Sequence, residues 1–171
     1  MITIAVAAIL LMIAVPSFTN VINSNRLNTA ANAMIGALNT ARMAAIQQNT
    51  SAQFCSNESG TNTTSDALGT DCGTNAGAVF VAASTGATAT QLAAAPSELG
   101  IPSIRIVTIA AIRFNSQGMG YKPGSTTPFD SSTDGVVVDL CSTALSTNNH
   151  IQISMATGSI ISTAPSTGTC P

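Results

Sequence analysis

The sequence predicts an α+β fold: a long N-terminal α-helix with an antiparallel β-sheet head packed on its C-terminal half. Three observations predict it. Residues 1–15 are apolar apart from Thr3, apolar residues recur at helical spacing over residues 27–45, and short β-branched runs separated by turn residues fill the chain beyond residue 52. The same boundaries divide the 171 residues into a hydrophobic half-helix suited to a membrane (1–26), an amphipathic half-helix (27–52) and a β-rich head held by disulfides (53–171).

In the first segment Ile2, Ile4, Val6, Ile9, Leu10, Leu11, Ile13 and Val15 leave no polar face, which suits lipid or a packed helix bundle. Fifteen helical residues span about 22 Å, whereas a hydrocarbon core of roughly 30 Å needs about twenty. The anchor is therefore short by about a turn and a half. A cleaved secretory signal and a start at an internal Met are the competing readings. Against the first stand the absence of a basic n-region and of an A-x-A-like site, and the return of helical spacing after Pro16.

Leu27, Ala31, Met34, Leu38, Ala41 and Ala45 then follow at steps of four and three, one continuous stripe for packing a helix on a sheet. A coiled coil would need a longer repeat and a less Ala-rich seam. The pattern dissolves at Asn49-Thr50-Ser51, where the helix is expected to end.

In the head, Ala78-Val79-Phe80-Val81-Ala82, Ile104-Arg105-Ile106-Val107-Thr108-Ile109, Ala111-Ile112-Arg113-Phe114, Val136-Val137-Val138-Asp139-Leu140, Ile151-Gln152-Ile153-Ser154-Met155 and Ser159-Ile160-Ile161-Ser162 are the strand candidates. Ala156-Thr157-Gly158 reads as a hairpin turn between the last two. Residues 56–76 and 83–100, rich in Ser, Thr, Asn, Gly and Ala, read as surface loops, and the simplest architecture is a single sheet wrapped on the helix.

Cys55, Cys72, Cys141 and Cys170 form no C-x-x-C pair, and His150 is the only histidine, so disulfides are expected rather than zinc. Cys55–Cys72 with Cys141–Cys170 is favoured because each closes a local loop rich in small polar residues. The two crossed pairings remain open.

The chemistry is sparse. Charged residues are 7% of the chain and the net charge is −2, with Arg26, Arg42, Arg105, Arg113 and Lys122 scattered, so no basic tract matches a row of phosphates. His150 near Asp139 and many serines is the one candidate general base, but no nucleophile elbow accompanies it. The dispersed acids fit neither a calcium loop nor a carboxylate pair, and residues 118–124 lack phosphate-loop spacing. No enzyme activity and no cofactor are expected. Asn49-Thr50-Ser51, Asn57-Glu58-Ser59 and Asn62-Thr63-Thr64 match the N-glycosylation pattern at a frequency this composition explains by chance.

Ala14-Val15-Pro16-Ser17-Phe18, Asn25-Arg26-Leu27 with Ala30-Ala31-Asn32, and the block Leu38-Asn39-Thr40-Ala41-Arg42-Met43-Ala44-Ala45-Ile46 resemble the GspH/FimT/FimU group of minor type IV pilins and pseudopilins. In that group an L-x-x-A-R-x-x-A-I block ends the helix and a strand follows, a place that Ala52-Gln53-Phe54-Cys55 would take here. Ile112-Arg113-Phe114-Asn115-Ser116-Gln117-Gly118 is similar to the group's I-x-F-x-x-x-G strand and turn. The resemblance implies a FimU-like, non-enzymatic subunit at or near a pilus tip that primes assembly, for twitching motility and adhesion. Residues 1–26, with Pro16 at their junction, would form the transmembrane and filament core. It also implies a processing site upstream of Met1, comprising a Gly, a Phe-like residue that becomes the methylated N terminus, and a Glu at the fifth mature position. The chain would thus start inside a longer helix. The implied partners are other pilins through the helix, the inner-membrane assembly platform, and the lipid bilayer before assembly. The implied locations are the inner membrane with the head in the periplasm, then the cell-surface pilus. The alternatives are a type II secretion pseudopilin and a FimT-like DNA-uptake pilin. The second is disfavoured because residues 158–171 contain no Arg or Lys.

Overall fold

The computed structural model describes residues 2–62, 66–82 and 88–171, with side chains from residue 18 onward. Helix α1 runs Ile2–Gln47 without a break at Pro16, although proline lacks the N–H that would close its turn. Among the described residues no helix is long and apolar enough to cross a membrane, and the side chains of residues 2–17 lie outside them. From there the helix buries Leu27, Ala30, Ala31, Met34, Ala37, Leu38, Ala41, Ala44 and Ala45. These lie three or four residues apart on one face, and the alanines let strands approach the helix closely.

The helix stops as its local sequence dictates. Asn49 adopts φ 49°, the Thr50 N–H reaches the Ala45 carbonyl at 3.1 Å, and the Asn49 N–H reaches Ile46 at 3.3 Å. This is a Schellman motif with asparagine in the left-handed position, and it turns the chain straight into β1 (Ala52–Phe54).

The head contains two antiparallel sheets rather than the single sheet expected. One has five strands in the order β3 (Thr90–Ala93), β2 (Val79–Val81), β1, β5 (Ile112–Phe114), β6 (Gly120–Tyr121). The other has four in the order β4 (Ile104–Ile109), β7 (Val138–Ser142), β8 (His150–Ala156), β9 (Ile160–Ser166). The chain passes from the second sheet to the first at Ala110-Ala111. Ile109 and Ile112 are three residues apart and would point to opposite faces of a straight strand, yet both are buried in the same core, so the backbone turns between them. An irregularity in register between Ile106 and Thr108, with Val107 exposed, adds twist before that turn.

The inner faces of both sheets meet α1, and Phe54, Val79, Ile112, Phe114, Val138, Leu140, Ile151 and Ile153 share one core with the helix stripe. The expected loops also hold regular structure: short helix α2 (Ala67–Cys72), 3-10 turns at Ser59–Thr61 and Ser97–Gly100, and edge strand β3. Leu68 and Cys72 of α2 pack with Cys55, Ala78 and Phe80 as a second small core behind the five-stranded sheet. That is why β1 and β2 are buried on both faces. A six-residue helix is too short to register as a periodicity, and β3, almost fully exposed, shows no alternation.

Candidate assembly interface

Above the undescribed side chains of residues 2–17, Phe18, Val21 and Ile22 are exposed on α1, Phe18 by 68%. Among the described side chains of residues 18–26 none is buried, so this short stretch of the helix offers an apolar surface to other contacts. Ile2, Ile4, Val6, Ile9, Leu10, Leu11, Ile13, Val15 and Pro16 belong to this stretch of α1, and their contacts lie outside the described residues.

The upper half of the helix is locked to both sheets by one side chain. The Arg42 Nε donates to the Gly118 carbonyl at 2.8 Å, and an Nη donates to the Ser159 carbonyl at 3.0 Å. Gly118 lies in the turn between β5 and β6, and Ser159 in the turn between β8 and β9. The planar guanidinium fork suits two acceptors held side by side. The same seam carries backbone bonds from Gly120 N–H to Gly158 O (2.8 Å) and from Gly158 N–H to Phe129 O (2.7 Å). Thr157 and Gly158, at φ 50° and 67°, form the tight hairpin tip that reaches across it. The two blocks similar to the pilin group therefore meet: Arg42 and Ile46 of the helix block close on Gly118 of the strand-and-turn block.

A second lock surrounds the bond between Cys55 and Cys72, whose Cα atoms are 5.4 Å apart. Fully buried Asn62 accepts from the Ser56 N–H at 2.8 Å and donates to the carbonyls of Ser56 and Gly73. Fully buried Gln53 donates to the Asn62 carbonyl and accepts from Arg113, which also pairs with Asp66. Asp66 in turn caps α2 by accepting from the Gly69 N–H. The Arg113 hydrogen bond, helped by the Gly69 amide, holds the Asp66 carboxyl below the ordinary carboxylate range. Strand alternation gave no hint that Gln53 is buried. Its partner Asn62 belongs to a glycosylation-pattern match, yet its side chain is committed to this loop.

The bond between Cys141 and Cys170, with Cα atoms 5.7 Å apart, holds the chain end against the outer face of the four-stranded sheet. There His150 and Asp139 are buried, with Nδ1 3.0 Å from Asp139 Oδ1, and Gln152 donates to the other carboxylate oxygen. Among the described residues the ring's buried Nε2 has no hydrogen-bond partner.

The type II transport protein GspH family pattern matches residues 30–157. That span contains the buried stripe from Ala30 onward, Arg42 with its Gly118 acceptor, and both sheets up to the β8–β9 turn. No curated protein and no solved structure matches the chain. The family is one of structural, pilin-like subunits rather than enzymes, and the long helix followed by antiparallel sheets agrees with that fold. The chain belongs to the type II transport protein GspH family, as a subunit of the minor pilin or pseudopilin kind.

Proposed function

We propose that this chain is a FimU-like minor type IV pilin that lies at or near the pilus tip and primes pilus assembly, serving twitching motility and adhesion. The observation that carries this reading is the unbroken helix Ile2–Gln47, on which Phe18, Val21 and Ile22 are exposed below the stripe that begins to bury at Leu27. Before assembly, residues 2–16 hold the subunit in the inner membrane with the head in the periplasm. On assembly they exchange lipid for the equivalent helices of other major and minor pilins, handed over by the inner-membrane platform. Association of this kind rests on close packing, for which Ala5, Ala7, Ala8 and Ala14 supply small surfaces. A deletion strain should lose most surface pili and twitching, and the intact chain should restore both. A strain that still assembles pili and twitches normally would overturn the proposal.

The family pattern itself favours a second reading, a type II secretion pseudopilin. In that case the deletion would retain exported enzymes in the periplasm and leave twitching intact. Nucleic acid is a poor partner for either form, because the segment after Gly158 is free of basic residues.

A further inference from the structure

The outer face of the four-stranded sheet carries a row of side chains turned away from the helix. Across the strands, Arg105 of β4 pairs with Cys141 of β7, Cys141 with His150 of β8, and His150 with Ser166 of β9. Directly opposed residues share a face, with Cβ atoms about 5 Å apart. Cys141 thus stands in register with Arg105 on one side and, on the other, with His150, whose imidazole is braced against Asp139. Among the described residues Arg105 joins no ion pair and is exposed. The tail lies over this row: Asn149 exchanges two hydrogen bonds with Gly168 (2.9 and 3.0 Å), and a Cβ at Gly168 would stand 3.2 Å from the unpartnered His150 Nε2. The two disulfides differ in access. Cys55 and Cys72 are wholly buried, as is Cys141, whereas Cys170 is half-buried.

We infer that Cys141–Cys170 is a thiol–disulfide exchange site for an external dithiol, and that Arg105 and His150 promote exchange by stabilising the departing Cys141 thiolate. One thiolate of the dithiol attacks the accessible Cys170 Sγ. The S–S bond breaks, its electron pair leaves on Cys141 Sγ, and a mixed disulfide forms at Cys170. The second thiolate of the dithiol then attacks its own sulfur in that mixed disulfide and expels the Cys170 thiolate. The dithiol leaves oxidised to its disulfide, and both cysteines take up protons from water. A cation beside the leaving sulfur speeds the first step because a better-stabilised thiolate leaves faster. Release of Cys170 frees the tail and uncovers His150 and Asp139.

The test uses the full chain in detergent micelles with dithiothreitol as the dithiol, quenched by alkylation and read by peptide mass. Cys141 and Cys170 should be labelled about tenfold faster than Cys55 and Cys72, whose rate also reports whether each variant stays folded. Arg105→Gln should slow opening about fivefold across the neutral range, and Arg105→Lys should restore it. His150→Gln should likewise slow opening of Cys141–Cys170 while leaving Cys55–Cys72 at its wild-type rate. Equal opening of the two disulfides in the wild type would overturn the inference, as would wild-type rates in Arg105→Gln.

Discussion

Asp66 shows how much one exposed carboxylate can organise. It caps α2 at the Gly69 N–H and pairs with Arg113, and through Arg113 it connects to Gln53 and Asn62 at the centre of the first disulfide loop. Its folded pKa is depressed, so the unfolded chain binds the proton more readily. The stabilisation is complete above the ordinary carboxylate value and is lost as pH falls through the lower folded value. Asp66→Asn keeps a capping oxygen and removes the charge. With the side chain 42% exposed, the expected loss is under about 1 kcal/mol at neutral pH. Urea midpoints measured down the pH scale should show this difference from the wild type shrinking as the pH falls below the ordinary carboxylate value. Asp130 and Asp134 are shifted the same way, Asp130 by the Ser132 hydroxyl and Asp134 by the Asp130 amide and by Lys122. Residue-scale roles of this kind were hidden in the sequence, where Asp66 was one polar residue in a loop-like stretch.

At the scale of elements, Gly118 is the point where helix, turn and strand meet. Its φ is +77°, and an added Cβ would stand 2.7 Å from Ile46 Cδ1. Gly118→Ala should cost about 1–3 kcal/mol, from backbone strain plus the clash. Adding Ile46→Ala should recover the clash but not the strain, and urea denaturation of the single and double variants separates the two. The elements themselves were unevenly legible. The α1 stripe and most strands stand out because burial on one face imposes a period of 3.6 or 2 on the residues. Strand ends were displaced, as in β7, which starts at Val138 rather than Val136, and β9, which extends to Ser166. Both edges lie where pairing partners rather than local residues set the boundary. Helix α2 escaped notice because its stability comes from the Asp66 cap and the Cys55–Cys72 bond, both formed with residues outside it.

For the whole molecule, α1 is the shared floor of both sheets. Leu38, with no exposure at all, lies in the core that joins them. Leu38→Ala should remove about 2–5 kcal/mol, and both sheets should still unfold in a single transition. The protein's one tyrosine, Tyr121, lies in β6 and reports the five-stranded sheet by fluorescence, while far-ultraviolet circular dichroism reports the whole chain. Coincident curves from the two probes are the expected result.

The sequence by itself determined that an apolar helix leads into an amphipathic one, that β structure follows, and that the cysteines suit disulfides rather than a zinc site. These are properties of composition and short-range period, which any one segment carries alone. Tertiary structure decided that the head is two sheets, that Arg42 joins their turns to the helix, and that the chain end lies over Cys141 and His150. Each of those depends on residues far apart in the chain meeting in one place. The cost of burying their polar groups unpaired selects the arrangement, and no local pattern records that cost.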